Sequence, residues 1–297
     1  MTQSTVTQWC NLCTLHAGLG KVCLLLPKDA KEVCDCVRFC VDKGAGPHIV
    51  GAGTNLVGSD DDFACCALRL PAKPIVAMEG RLARCGAGAL GLRLFRSLAA
   101  EGLGGCAAIS GIPGTLGGML AMNAGANGME ICETVAEMHG VSLATGEEWN
   151  WRRGDGGWAY RTSPVPPDVC VTDALLELRK CSPEEELDAI NAEMIRRRRV
   201  TPSWWSAGSV FRNPSPDTPA GRILDEAGCK GLKCGPFAIS ERHANWIVNA
   251  ERRGGSAKSV RTLVAEMRER SPVPLECELR FVDGVEQFDR TNGGPRR

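Results

Sequence analysis

Residues 102–129 carry no charged side chain, and nine of the 28 are glycine. A stretch of that length could cross a bilayer, for which about 20 apolar residues suffice. Its composition argues against a span. Each glycine costs a helix about 1 kcal/mol relative to alanine, and Pro113, Asn123 and Asn127 interrupt the remainder. Glycine permits positive φ and lets another group lie directly on the peptide chain. The segment is therefore read as loops that face a ligand.

The rest of the composition narrows the partner. The chain has 35 acidic and 35 basic residues and no formal net charge, so nothing favours nucleic acid, whose phosphates attract strongly basic surfaces. The N-terminus, MTQSTVTQWC, lacks a basic segment followed by an apolar core, which predicts a cytoplasmic protein without membrane insertion. Sixteen cysteines are scattered, with one CxxC (Cys10, Cys13) and no second pair at zinc spacing. They are predicted to be reduced core thiols, with no disulfide framework and no metal. A length of 297 residues allows two or three domains.

Periodicity places the elements. Residues 29–43 repeat apolar side chains at helical spacing and stop at Gly44 and Gly46. A short strand (HIV) and the turn GAGTN (51–55) follow, then a helix over 90–102. The stretch from Ser182 predicts a helix capped by Ser182, with Pro183 in its first turn and Glu185 at the capping-box position. Its last turn, Arg196 to Arg199, is read as a solvated end that complements the helix dipole. Residues 256–270 form a last helix with Val260, Leu263, Val264 and Met267 on one face, and PLECELRFV (274–282) alternates as a strand. The tail from Asp283 is polar and predicted to be disordered.

Two glycine turns, GAGTN and GIPGTLGG (111–118), suit phosphate oxygens, because successive amides in such turns form anion nests. Neither is a Rossmann fingerprint, since Leu56 stands where the third glycine would be, and neither contains the GK[ST] of a P-loop. Together they could grip two ends of a dinucleotide. Tyr160, the sole tyrosine, sits beside Arg161; Ser209 lies in a glycine turn with no GxSxG around it; the four histidines show no ligand spacing. Alone, each of these is more often ordinary surface or turn structure than a site. The residues by themselves support an α+β enzyme for a large phosphorylated ligand.

The segments GAGTN (51–55), GIPGTLGG (111–118), MNAGANG (122–128), YRTS (160–163), GSVFRNP (208–214), AGCKG (227–231), SERHANWIVN (240–249) and LECEL (275–279) occur in this order. Together they resemble the family of the flavoenzyme UDP-N-acetylenolpyruvoylglucosamine reductase, over about residues 45–282. Three departures stand out: GLGKVC in place of a Gly-Gly pair, Ala107 where the family often has an acid, and Cys277 where it usually has proline.

The resemblance implies a two-domain FAD-binding fold of the vanillyl-alcohol oxidase (PCMH) type plus an α+β substrate-binding domain. Residues 1–70 would be the first FAD-binding subdomain, 71–198 with 271–297 the second, and 199–270 the substrate domain. Non-covalent FAD would lie against Gly51, Gly53, Thr54, Asn55, Gly111, Pro113, Gly114, Thr115, Gly118 and Asn123. NADPH would supply hydride, and the product would be the UDP-N-acetylmuramate of peptidoglycan. Arg161 and Glu278 match the residues that polarise the enolpyruvyl group, Ser209 matches the proton donor, and Tyr160 and Asn213 match substrate-binding positions. The sole tyrosine points to the shorter subclass, without a tyrosine lid loop, and Trp204 or Trp205 could shield the nucleotide instead. The alternatives are another FAD-dependent oxidoreductase on the same scaffold and a non-catalytic flavin-binding protein.

Overall fold

The computed structural model describes residues 2–63, 65–202, 205–215 and 217–282. Trp204 and the tail from Asp283 lie outside the described residues. The fold is α+β, and chain contacts divide it into two units: residues 1–5, 23–54 and 66–203 form the first, and 6–22, 55–65 and 204–297 the second.

The first unit is built on two sheets. A four-stranded sheet has the order β1 (Gln3–Gln8), β2 (Lys21–Leu26), β4 (Cys65–Leu68), β3 (Gly46–Ile49). β2 and β4 run parallel, with Leu24 opposite Ala67 and Leu25 opposite Leu68. Helix α1 (Ala30–Asp42) starts where the Asp29 carboxylate accepts the amide of Glu32 at 2.9 Å. It buries Val33, Val37 and Cys40 of the sequence's apolar repeat, together with Cys36, in a core with Leu25, Cys66, Leu68 and Cys170, and leaves Val41 exposed. No disulfide joins the sixteen cysteines. The buried ones, Cys85 and Cys170 among them, are small core side chains, and burial pushes these two thiols up to about 12.

The second sheet is antiparallel, in the order β8 (Glu148–Arg152), β7 (Val135–Ser142), β9 (Val169–Glu177), β6 (Leu82–Gly86), β5 (Ala77–Glu79). Helices α2 (Gly91–Ala100), α3 (Leu116–Ala121) and α4 (Pro183–Val200) share its core, through Leu94, Phe95, Leu98, Leu116, Leu120 and Ile190. The uncharged stretch thus breaks into short elements, and no described helix is long and apolar enough to cross a membrane.

Helix α4 begins as its sequence predicts, with Ser182 Oγ accepting the amide of Glu185. Its buried stripe is less ordinary: Glu186 and Glu193 lie inward with Ile190. Glu186 Oε1 accepts the amides of Gly105 (2.9 Å) and Ala107 (3.2 Å), and Oε2 pairs with Arg179 at 3.2 Å. A buried carboxylate needs such partners. This contact occupies the backbone at the family's missing acid, Ala107. The arginine run also differs from a fully solvated end. Arg196, Arg198 and Arg199 are exposed, but Arg197 is half-buried. Its Cδ lies 3.0 Å from where a Cβ on Gly111 would stand, and burial lowers its pKa.

In the second unit a four-stranded antiparallel sheet has the order β10 (Trp205–Ser209), β13 (Trp246–Asn249), β12 (Phe237–Ile239), β11 (Lys233–Cys234). Helices α5 (Ala220–Glu226) and α6 (Ala257–Arg270) pack on it, with Val260, Leu263, Val264 and Met267 buried as their spacing predicts. Leu275 and Leu279 join this core and Glu276 is exposed, so the alternation of 274–282 is real. Only Arg280–Phe281 forms regular strand, paired parallel to Leu56–Val57.

Asp60 caps α6 from a distant loop. Its carboxylate accepts Ser256 Oγ (2.5 Å) and the amides of Ala257 (2.9 Å), Lys258 (3.1 Å) and Leu19 (3.1 Å). Burial raises its pKa, but these hydrogen bonds outweigh it and hold the group below the usual carboxylate value. A depressed folded-state pKa contributes stability above the unfolded value, and that stability is lost as pH falls through the folded one. Asp60→Ala should cost about 1 kcal/mol near neutrality. Urea midpoints of variant and wild type should converge toward about pH 3, below the ordinary carboxylate pKa.

Candidate active site

The glycine turns 51–54 and 111–118 meet within the first unit. Thr54 Oγ1 donates to Pro113 O at 3.0 Å, and a Cβ on Gly51 would stand 2.6 Å from Thr115 Oγ1. Gly53 and Gly114 have φ of 69° and 152°, backbone that favours glycine. Thr115 Oγ1 accepts the amide of Gly118 at 3.2 Å, and Gly114 O accepts that of Gly91 at 2.9 Å, which fixes the second turn from both sides. Among the described residues none accepts a hydrogen bond from the amides of Gly51, Ala52, Thr54 or Gly114. A cradle of bare, unengaged amides fits the diphosphate of a dinucleotide.

A second cluster in the same unit surrounds Arg161. Tyr160 and Arg161 occupy the tip of a tight turn closed by paired backbone bonds between Ala159 and Thr162 (3.2 and 2.8 Å). Arg161 has φ 54°, a cost that persists only where surrounding bonds fix it. Its guanidinium donates to Gly125 O at 3.0 Å and Asn123 O at 3.4 Å, and lies 5.0 Å from the Tyr160 ring. Tyr160 is half exposed. Asn123 is fully buried with φ 41°. Its Nδ2 donates to Glu130 Oε2 (2.7 Å) and Ala159 O (2.9 Å), and its Oδ1 accepts the amide of Cys132 (3.4 Å). The Asn123 side chain therefore ties the NAGANG loop to the Tyr-Arg turn. Glu130, which the sequence reading passed over, anchors that tie.

The second unit carries Ser209, Asn213, Glu278 and Asn55. Ser206 pairs with Val248 and Ser209 with Trp246, so β10 has one residue more than β13 across this interval. The extra residue is a bulge at Ala207–Gly208, with Gly208 at φ 79°. Among the described residues the Ser209 hydroxyl has no hydrogen-bond partner. Glu278 lies on the neighbouring segment: its amide donates to Val210 O at 2.8 Å, and its carbonyl accepts Asn55 Nδ2 at 2.9 Å. Asn213 is exposed, with Oδ1 accepting the amide of Ala220 at 3.0 Å at the start of α5. Phe211 bridges Cys277, the residue at the family's proline position. Trp205 stacks on His16, with centroids 3.8 Å apart. Asn245 was also passed over by the sequence reading, although SERHANWIVN contains it. It is 3% exposed and binds the backbone of Phe211 from both sides.

The first unit carries an amide cradle that suits a dinucleotide, and the second a serine hydroxyl unengaged among the described residues; with the matches to known proteins that follow, the class is an FAD-dependent oxidoreductase. Residues 22–151 match the family described as FAD binding domain, and residues 201–282 match that described as UDP-N-acetylenolpyruvoylglucosamine reductase, C-terminal domain. The chain belongs to the UDP-N-acetylenolpyruvoylglucosamine reductase family. It is 34% identical to UDP-N-acetylenolpyruvoylglucosamine reductase 2 of Symbiobacterium thermophilum, over 85% of this chain and 83% of that protein. It is 31% identical to the reductase of Bacillus subtilis, over 92% of each. The crystal structure of the Thermus caldophilus reductase superposes with a TM-score of 0.81 at 31% identity, covering 95% of this chain and 99% of that one.

Proposed function

We propose that the protein reduces UDP-N-acetylenolpyruvoylglucosamine to UDP-N-acetylmuramate with NADPH, through FAD, in the cytoplasm. The observation that carries this reading is Ser209, bared on a glycine bulge beside the segment of Glu278, in a chain of this family. Gly51, Gly53, Thr54, Gly111, Gly114 and Thr115 would hold the FAD diphosphate through backbone amides, while Pro113, which has no N–H, and Gly118, whose amide is bonded to Thr115 Oγ1, would shape the second turn. Asn55 would hold the Glu278 segment. Asn123 would contribute backbone only, since its carboxamide is engaged within the protein. Bound FAD would supply a hydride relay from NADPH to C3 of the enolpyruvyl group.

The protein's own residues handle the charge and the proton. Hydride addition at C3 forms a C3–H bond and pushes the double-bond electron pair onto C2 and its carboxylate. Arg161 offers that carboxylate a planar donor fork, already oriented by Asn123 O and Gly125 O. Glu278 would polarise the same group. Ser209 delivers a proton to C2, closing the C2–H bond, and recovers its own from solvent. A serine hydroxyl is a weak acid, and the strongly basic carbanionic centre compensates. Tyr160 and Asn213 would bind substrate. Residues 1–70 and 71–198 with 271–297 would be the flavin-binding parts and 199–270 the substrate part, in the subclass without a tyrosine lid.

The test is the isotope pattern of the product. With unlabelled NADPH in D₂O, mass spectrometry and NMR should place deuterium at C2, delivered by a hydroxyl that exchanges with solvent. Protium at C2 would contradict the assignment. Arg161→Lys should slow reoxidation of the reduced flavin by substrate about 10²-fold, the scale of losing one positioned donor. Single-turnover absorbance checks this, and a wild-type rate would remove Arg161 from the reaction.

A further inference from the structure

The bulge that bares Ser209 creates a problem for the strand it interrupts. Past Gly208 the strand ladder between β10 and β13 ends at Ser209↔Trp246, yet Val210 and Phe211 are fully buried and their backbone groups need partners. One residue supplies three of the four partners. Asn245 O accepts the Val210 amide at 2.9 Å, Asn245 Oδ1 accepts the Phe211 amide at 2.9 Å, and Asn245 Nδ2 donates to Phe211 O at 2.8 Å. The carboxamide thus stands in for one peptide unit of a neighbouring strand, offering a donor and an acceptor at peptide spacing. On the other side, Val210 O and Arg212 N are bonded to Glu278 N (2.8 Å) and Glu276 O (2.9 Å). The residues just after Ser209 are clamped between Asn245 and the Glu278 segment.

We infer that Asn245 is the positioning residue of the proton donor: by clamping the Phe211 backbone it fixes where the Ser209 hydroxyl points. This rests on the role proposed for Ser209. A buried asparagine could instead serve stability alone, and the two readings differ in what its loss does to each half-reaction. Aspartate in its place keeps the volume and the acceptor for Phe211 N but sets an oxygen against Phe211 O, so the clamp opens on one side.

The experiment uses the FAD-loaded full chain with Asn245→Asp and Asn245→Ala, alone and in a Ser209→Ala background. The flavin spectrum and melting temperature report loading and fold. Asn245→Asp should bind FAD and be reduced by NADPH at the wild-type rate, while reoxidation by UDP-N-acetylenolpyruvoylglucosamine slows about 10²-fold, the scale of misplacing a reacting group by about 1 Å. In the Ser209→Ala background the same substitution should change reoxidation little, because the group it positions is gone. Equal slowing of both half-reactions, or the same factor in both backgrounds, would overturn the inference. If Asn245→Ala does not fold, Asn245→Asp alone decides. A wild-type protein whose reduced flavin ignores the substrate would overturn the proposed function and this inference with it. A competent wild type matched in speed by Asn245→Asp would overturn only this inference.

Discussion

Ser209→Ala should slow reoxidation of the reduced flavin by the enolpyruvyl substrate by about 10²–10⁴-fold, the scale of losing a general acid, and leave reduction by NADPH untouched. The substitution removes one oxygen and hardly changes volume. The structure gives it nothing else to disturb: among the described residues the hydroxyl has no partner, and the bulge is set by Gly208 and by the Asn245 clamp. The two half-reactions separate because only the second requires a proton at C2. Ser209→Cys should recover part of the rate, since a thiol can also donate a proton. Stopped-flow absorbance resolves both steps. Slowed reduction with wild-type reoxidation would assign Ser209 to the wrong half of the cycle.

Gly114→Asp should yield a largely colourless protein. Gly114 has φ 152°, and its amide is among those with no acceptor among the described residues. The position has room, since a Cβ would meet only Thr54 Oγ1, at 3.6 Å, so the loss would not come from a clash within the protein. It would come from strained backbone at an amide that must face the ligand, and from a carboxylate placed beside a diphosphate. Flavin absorbance per protein, with circular dichroism to confirm the fold, measures it. Full FAD occupancy would remove the 111–118 turn from the cofactor site.

The sequence foreshadows much of this, unevenly. Helices α1, α4 and α6 follow from repeats and caps because both signals are local: the apolar repeat of 29–43, the Ser182 cap and the run Val260–Met267 act within a few turns. The burial pattern of 274–282 is equally local, but its hydrogen bonds are not. They depend on Asn55, Val210 and Arg212, far from it in the chain, so only Arg280 and Phe281 of the segment form regular strand. Glu186, Glu193 and Arg197 read as surface charges because burying charge is costly. Their inward placement rests on partners such as Gly105, Ala107 and Arg196 that periodicity cannot supply.

Among the site residues, glycine turns announce themselves by composition, whereas Ser209 and Arg161 gain meaning only from neighbours. The register slip that bares Ser209 shows in no window of GSVFRNP, and its clamp comes from Asn245, 34 positions from Phe211. The Glu130–Asn123–Ala159 tie behind Arg161 likewise joins residues that sequence spacing does not connect.

The most direct measurement of the central claim is a single turnover without oxygen. The protein is reduced with one equivalent of NADPH and mixed with UDP-N-acetylenolpyruvoylglucosamine while flavin absorbance is followed. The oxidised spectrum should return in step with one equivalent of UDP-N-acetylmuramate. A flavin that stays reduced until oxygen is admitted would contradict the account.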